Sequence, residues 1–170
     1  MKLRKTVLLV VVVMLSQAVL AQGNAAGAPA FSYDQQRLAK AQPWTSQAFQ
    51  NDPDEFQFVI IGDRTGGANV RKTFEIALGQ INLLQSEFVI NVGDLIEGYS
   101  DDKAALNAEW EALDKLLGGL RMPFFRTPGN HDMANNAAQE VWRDRYGASY
   151  YYFVYPSTRK GLATWITSCG

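Results

Sequence analysis

The chain is expected to fold as an α/β domain with a mostly parallel sheet of βαβ units. Three observations carry that expectation. Short apolar runs recur along the sequence, at Phe56–Ile61, Phe88–Val92 and Met122–Thr127. The stretches between them repeat apolar residues at helical spacing. Each run leads into a small residue followed by an oxygen-bearing side chain: Gly62-Asp63, Gly93-Asp94 and Gly129-Asn130. Strands joined through helices of this length run parallel, and a parallel sheet presents the carboxyl ends of its strands along one edge, where open α/β folds bind ligands.

Residues 1–21 read as a cleavable export signal. Lys2, Arg4 and Lys5 form a basic head, Val7–Leu15 is unbroken and apolar, and Val19-Leu20-Ala21 supplies small residues for a cut after Ala21. The apolar run is about half the ~20 residues that span a bilayer. Ser16 and Gln17 interrupt it, which disfavours an uncleaved anchor, and no cysteine follows it to take a lipid. The expected location is therefore the periplasm or outside the cell, with no stable membrane span after cleavage. Losing three positive charges and no negative ones takes the formal charge from −1 to −4.

Residues 22–54 are expected to form a flexible lead-in. Gln22–Ala30 is rich in Ala, Gly and Asn, Asp34–Ala41 has the makings of a short helix ended by Pro43, and Asn51–Asp54 is a turn cluster. The folded domain is placed at 55–170. After Gly66-Gly67, Asn69 is positioned to cap a helix whose apolar stripe is Phe74, Ala77, Leu78, Ile81 and Leu84. Asp101 or Asp102 caps the next, with Leu106, Trp110, Leu113, Leu116 and Leu117 inward and Gly118-Gly119 as the stop. Asn135 or Asn136 opens a third, carrying Val141, Trp142 and Tyr146 and ending at Gly147, and Tyr150–Tyr155 reads as a fourth strand.

Composition narrows the function classes. Hydrophobic residues at 47% and charged residues at 19% indicate a globular chain with a sizeable core. A formal charge of −1 leaves no basic footprint for nucleic acid. The lone Cys169 has no internal partner, which excludes a disulfide framework and a cysteine-type zinc cluster.

The loops have the chemistry of a metal site. Hard divalent cations take carboxylate and carbonyl oxygens, with imidazole added for zinc, iron and manganese. Asp63 and Asp94 stand just past buried strands on short stems, and Gly62, Gly93 and Gly129 permit backbone that bulkier residues resist. Two cations about 3.5–4 Å apart activate water and clamp phosphate-ester oxygens for in-line attack. Asp94 suits a bridging position, and Asn130 adds a ligand without charge. Arg64 is a fork-shaped donor within reach of a substrate phosphate, or else a surface arginine.

With Gly62-Asp63, Gly93-Asp94 and Gly129-Asn130-His131-Asp132 in that order, residues 56–155 resemble the calcineurin-like metallophosphoesterase superfamily. The resemblance implies a four-layer αββα sandwich, of which this chain carries the N-terminal part with the C-terminal half missing. It implies hydrolysis of phosphate esters with two divalent metals, manganese, iron or zinc. By position, Asp63 would bind the first metal, Asp94 would bridge and Asn130 would bind the second. His131 would stabilise the transition state or protonate the leaving group, oriented by Asp132.

The chain departs from the family pattern twice. The histidine usual two residues after the first aspartate is Thr65 here. Purple acid phosphatases also lack it but place a tyrosine three residues after the second-loop aspartate. Glu97 stands there, and Tyr99 would need a different loop path. The later histidines of the family are also absent, His131 being the single histidine. Pro156–Gly161 breaks the fourth strand and 162–170 shows no continuation of the pattern, so a truncated product is expected, with exposed apolar surface, low stability, weak metal binding and self-association. The competing reading is an inactive exported remnant or binding module. A serine esterase would need serine at Arg64, and a haloacid-dehalogenase phosphatase an aspartate at Thr65; neither is present.

Overall fold

The computed structural model describes residues 11–12, 31–49, 56–65, 67, 72–155 and 162–166. The elements in chain order are β1 (Val11–Val12), β2 (Ser32–Tyr33), β3 (Val59–Ile61), α1 (Thr73–Leu84), β4 (Val89–Asn91), α2 (Lys103–Leu117), β5 (Phe124–Phe125), α3 (Asn136–Tyr146), β6 (Tyr151–Tyr155) and β7 (Leu162–Ile166). The head and cleavage residues of the leader, Gln22–Ala30, the Asn51–Asp54 turn, the Asn69 cap, Pro156–Gly161 and Cys169 lie outside the described residues.

The three expected parallel strands form. β3 pairs parallel with β4, and β4 with β5, while β1 pairs antiparallel along the outer side of β3. Both faces of these strands are covered, which is why they read as continuous apolar runs rather than alternating ones. Val59, Ile61, Val89 and Phe124 face the helices, where Phe74, Leu78 and Ile81 of α1, Leu106, Trp110 and Leu113 of α2, and Val141 and Trp142 of α3 bury against them. Phe88, Ile90 and Phe125 turn the other way, onto Tyr151, Phe153 and Tyr155 of β6.

That second contact defines the architecture. β6 does not join the parallel sheet; it is the centre of an antiparallel sheet ordered β2-β6-β7. A helix layer, the parallel sheet and the antiparallel sheet give three of the four layers of an αββα sandwich. Two expectations are corrected here. Residues 162–166 do continue the pattern, pairing with all five residues of β6. The second face of the parallel sheet is not left bare, because Phe88 and Phe125 are fully buried beneath β6.

The expectation of a flexible lead-in also fails for residues 31–49. Trp44 bridges to Phe125 at the free edge of β5, Thr45 N–H donates to the Phe124 carbonyl at 3.1 Å, and Arg126 N–H donates to the Pro43 carbonyl at 2.7 Å. Phe31, Tyr33, Trp44 and Phe49 pack onto the second core, with Trp44 rings 5.4 Å from Phe125 and 5.7 Å from Tyr151. Burying one such ring contributes roughly 1.5–3 kcal/mol, enough to hold a segment that local propensity leaves undecided. Asp34–Ala41 makes a single turn, closed by Leu38 N–H on the Asp34 carbonyl at 3.1 Å, rather than a helix.

The helix ends follow their capping chemistry. Asp102, not Asp101, caps α2 by accepting from Ala104 N–H at 2.8 Å, and Asn135 caps α3 by accepting from Ala138 N–H at 2.8 Å. α1 starts after Lys72, whose backbone is left-handed and whose side chain makes no cap. Leu84 and Leu116, expected in the buried stripes, are 37% exposed and half-buried respectively, because α1 ends at Leu84 and Leu116 sits at the margin of its core.

Candidate functional site

The three loops after β3, β4 and β5 meet at Asp94. Arg64 N–H of the first loop donates to the Asp94 carbonyl at 2.9 Å, and His131 N–H of the third donates to Asp94 Oδ1 at 2.9 Å. Asp94 itself is left-handed, with φ 55°, a backbone that Asp adopts more readily than most residues. The loops approach backbone to backbone. A Cβ on Gly93, whose φ is 105°, would lie 2.7 Å from Gly129 Cα, and one on Gly129 would lie 2.5 Å from Asp94 N. Gly129 is therefore required for close approach, while Gly62 has room, with its nearest neighbour atom at 3.9 Å.

Asp132 has a different task from the one expected. Its carboxylate is fully buried, and Oδ1 accepts from Leu95 N–H at 2.9 Å and Ile96 N–H at 3.0 Å while Oδ2 accepts from Gly129 N–H at 2.9 Å. It ties the second and third loops together. Burial raises its pKa from 3.8 to about 6 against those three donors, and the Asp94 charge adds to the rise.

His131 is oriented instead by the second loop. Its Nδ1 faces the Glu97 carbonyl at 2.8 Å. A carbonyl only accepts, so Nδ1 carries the proton and Nε2 is the nitrogen left for chemistry. The Tyr99 ring meets the imidazole edge-on at 4.6 Å, and the Tyr99 hydroxyl accepts from Asn130 Nδ2 at 2.9 Å. Gly98 at φ 61° and Tyr99 at φ 54° provide the loop path that sequence spacing did not suggest. A bulky residue held left-handed is a mark of local strain, which concentrates at functional positions. Glu109 of α2 secures the same turn, its Oε2 accepting from Glu97 N–H at 2.8 Å and Gly98 N–H at 3.2 Å.

Arg64 is half-buried, with Nη1 donating to the Leu95 carbonyl at 2.9 Å and its guanidinium 5.9 Å from the Phe74 ring. Its supported task is to fasten the first loop to the second. Thr65 is buried and donates through Oγ1 to the Asp94 carbonyl at 3.2 Å, so it offers no ligand in place of the missing imidazole.

The third loop is braced from behind. Arg126, buried next to Thr127, pairs with Asp114 of α2 at 2.7 Å; Asp114 also accepts from Arg145 at 2.8 Å and from the Tyr146 hydroxyl at 3.0 Å. Burial pushes the Tyr146 hydroxyl up to about 12, so it stays a donor at neutral pH. Asn91 bridges the strand ends, its Oδ1 accepting from Thr127 N–H at 2.8 Å.

Three loop side chains keep an oxygen without a partner among the described residues. Asp63 is exposed with no partner among the described residues, Asp94 keeps one carboxylate oxygen, and Asn130, with its nitrogen on Tyr99, keeps its amide oxygen. No group of three His, Cys, Asp or Glu side chains assembles among the described residues. The two-metal set implied by the resemblance therefore has no full complement of ligands there.

Comparison with known proteins agrees with this topology. No curated protein and no solved structure gave a match. A family model described as calcineurin-like phosphoesterase matches residues 49–169, well over half of the chain and including all three loops. The chain belongs to the calcineurin-like phosphoesterase family.

Proposed function

We propose that this chain hydrolyses a phosphoric ester at the meeting point of its three loops, with a divalent cation held by Asp63, Asp94 and Asn130. The observation that carries the reading is the convergence of the first and third loops on Asp94, beside a histidine whose Nδ1 is already committed. A cation held by these residues would offset charge on the phosphoryl oxygens and lower the pKa of a bound water. Doubly protonated, His131 would give its Nε2 proton to the leaving-group oxygen and be left neutral, while its Nδ1–H stays on the Glu97 carbonyl, which fixes the ring for that transfer. Tyr99 positions the Asn130 amide so that its oxygen faces away from the hydroxyl. A second cation, manganese, iron or zinc as in the family resemblance, would need ligands beyond the described residues.

The test is manganese-dependent hydrolysis of an aryl phosphate and an aryl phosphodiester by the full chain, with Asp94→Asn and His131→Gln. Asp94→Asn keeps the acceptor for His131 N–H but removes the charge, and at least a 100-fold loss is expected, the scale of losing one transition-state donor. Hydrolysis that is unchanged by Asp94→Asn would remove the assignment. The incomplete ligand set among the described residues favours a second reading, an inactive remnant of the fold. Absence of heat on titrating manganese into the chain would select it.

The basic and apolar leader supports export. No helix of the described residues is long and apolar enough to cross a membrane. A mature protein whose first residue is Gln22 is the expected product, and an uncut N-terminus in the exported fraction would contradict it.

A further inference from the structure

A cleft of about 600 Å³ lies between the 36–41 segment, α3 and residues 147–150, and of the three-loop region only Met133, just past Asp132, reaches its wall. That volume falls in the range of roughly 300–1,000 Å³ typical of small-ligand sites. Arg37, Lys40 and Arg143 line it, together with the Trp142 and Tyr150 rings and the Gln139 amide, and no acidic residue does. The chain as a whole is at −1; with Arg37 paired to Asp34, Lys40 and Arg143 still leave this cleft a positive lining.

Arg37 is set in place before any ligand arrives. Its Nε donates to Asp34 Oδ2 at 3.2 Å, and its guanidinium lies 4.2 Å from the Tyr150 ring centre. A fork held this way loses little freedom when it binds an oxyanion. Lys40 and Arg143 are exposed and have no side-chain hydrogen-bond or ion-pair partner among the described residues. Asp34 pairs with Arg37, and Glu140, whose carboxylate also feels the Arg143 charge, pairs with Lys103. The cleft wall is also built tightly. A Cβ on Gly147, at φ 78°, would come within 3.0 Å of the Ala41 carbonyl oxygen, so glycine is what lets the 36–41 segment seat against α3.

We propose that this cleft binds a small polyanion, whose oxygens accept from Arg37, Lys40 and Arg143. Phosphate and carboxylate groups share that chemistry. Arg143 and Arg145 also oppose the negative end of α3, but both Nη atoms of Arg145 donate, to Asn107 and Asp114, whereas Arg143 has no such partner among the described residues. Charge balance on the helix alone does not account for Lys40 and Arg37 facing the same space.

The experiment titrates the isotope-labelled full chain, free of divalent metal, with inorganic pyrophosphate in one arm and citrate in the other. Backbone and indole N–H shifts report where each ion binds. Saturable shifts at the Trp142 indole, Gly147 and Ser149 are expected, weakened about tenfold or more in Lys40→Gln/Arg143→Gln, the scale of removing charged hydrogen-bond partners. Response to pyrophosphate alone assigns the site to phosphates, and response to citrate alone to carboxylates; either supports the cleft. Shifts confined to Gly93, Gly129 and His131, no saturation at millimolar ion, or equal affinity in the double variant with only a lowered melting temperature would each overturn it. Failure here leaves the hydrolase reading untouched, since that rests on Asp94 and His131.

Discussion

Replacing Gly98 with alanine should separate the second and third loops. Gly98 has φ 61°, and an added Cβ would lie 3.0 Å from the His131 carbonyl carbon and closer still to its oxygen. Both are backbone atoms, so no side chain can swing aside. The left-handed conformation costs a non-glycine residue about 1 kcal/mol. Relieving the overlap requires a retreat of about 1 Å, judged against ordinary carbon–oxygen contact distances. That retreat stretches the Glu97–His131 contact at 2.8 Å, the His131–Asp94 bond at 2.9 Å and the Asn130–Tyr99 bond at 2.9 Å. At about 1 kcal/mol for each of these, the total is about 3–4 kcal/mol. Urea unfolding of wild type and variant measures it. Gly79→Ala is the control, because Gly79 lies inside α1 with nothing within 4 Å of the added carbon; it should stabilise by about 0.5–1 kcal/mol. A Gly98→Ala protein within about 0.5 kcal/mol of wild type, with an unmoved His131 imidazole signal, would refute the packing argument.

Three further outcomes follow from the same packing and hydrogen bonds. Asp114→Ala leaves the buried Arg126 guanidinium without its carboxylate and should cost about 3 kcal/mol in chemical denaturation; a loss near zero would mean Arg126 finds another acceptor. Trp44→Ala should cost about 3 kcal/mol and expose 31–49 to protease, whereas resistance equal to wild type would show that the segment is held without that ring. Asp132 has a folded pKa of about 6 against 3.8, so the folded metal-free chain holds its proton more tightly than the unfolded one. That contribution is full below pH 3.8 and is lost as pH rises through 6, up to about 3 kcal/mol in all. Stability curves of wild type and Asp132→Asn between those pH values should diverge by this slope, and parallel curves would count against a buried, perturbed carboxylate.

What could be read from the sequence was local and periodic. The stripe Leu106, Trp110, Leu113 and Leu117 with an aspartate before it and glycines after it specifies α2 on its own terms. The glycine–oxygen pairs placed the loops at strand ends because that pattern follows from a parallel sheet. Residues 31–49 were illegible for the opposite reason. Phe31, Trp44 and Phe49 have no helical or alternating period, and their partners Phe125 and Tyr155 lie far along the chain. β7 hid behind the break at 156–161, since an antiparallel return leaves no trace in a search for βα units. At the site, residue types were legible and pairings were not. The family resemblance implied a histidine–aspartate pair at His131 and Asp132, but the turn directs the Asp132 carboxylate to three backbone amides and the imidazole to Glu97.

The same geometry decides whether restoring the family's histidine at position 65 would rebuild a metal site. The second and third loops are cross-linked through Asp132, Asp94, Glu97 and Tyr99, whereas the first is fastened by Arg64 and Thr65 to the carbonyls of Asp94 and Leu95. Thr65 is 3% exposed and its hydroxyl points at one of those carbonyls, while Asp63, two residues earlier, is exposed. A larger imidazole at 65 must enter the packed side of the loop or push the loop off Asp94. Overpacking of this kind costs about 1–3 kcal/mol, and the lost hydroxyl bond adds to it. Thr65→His should therefore lower stability and leave manganese affinity, measured by calorimetry, no better than wild type. Binding tightened tenfold or more would show that the first loop can rotate its side chains toward Asp63, and that its fastening to the second loop is weaker than these bonds imply.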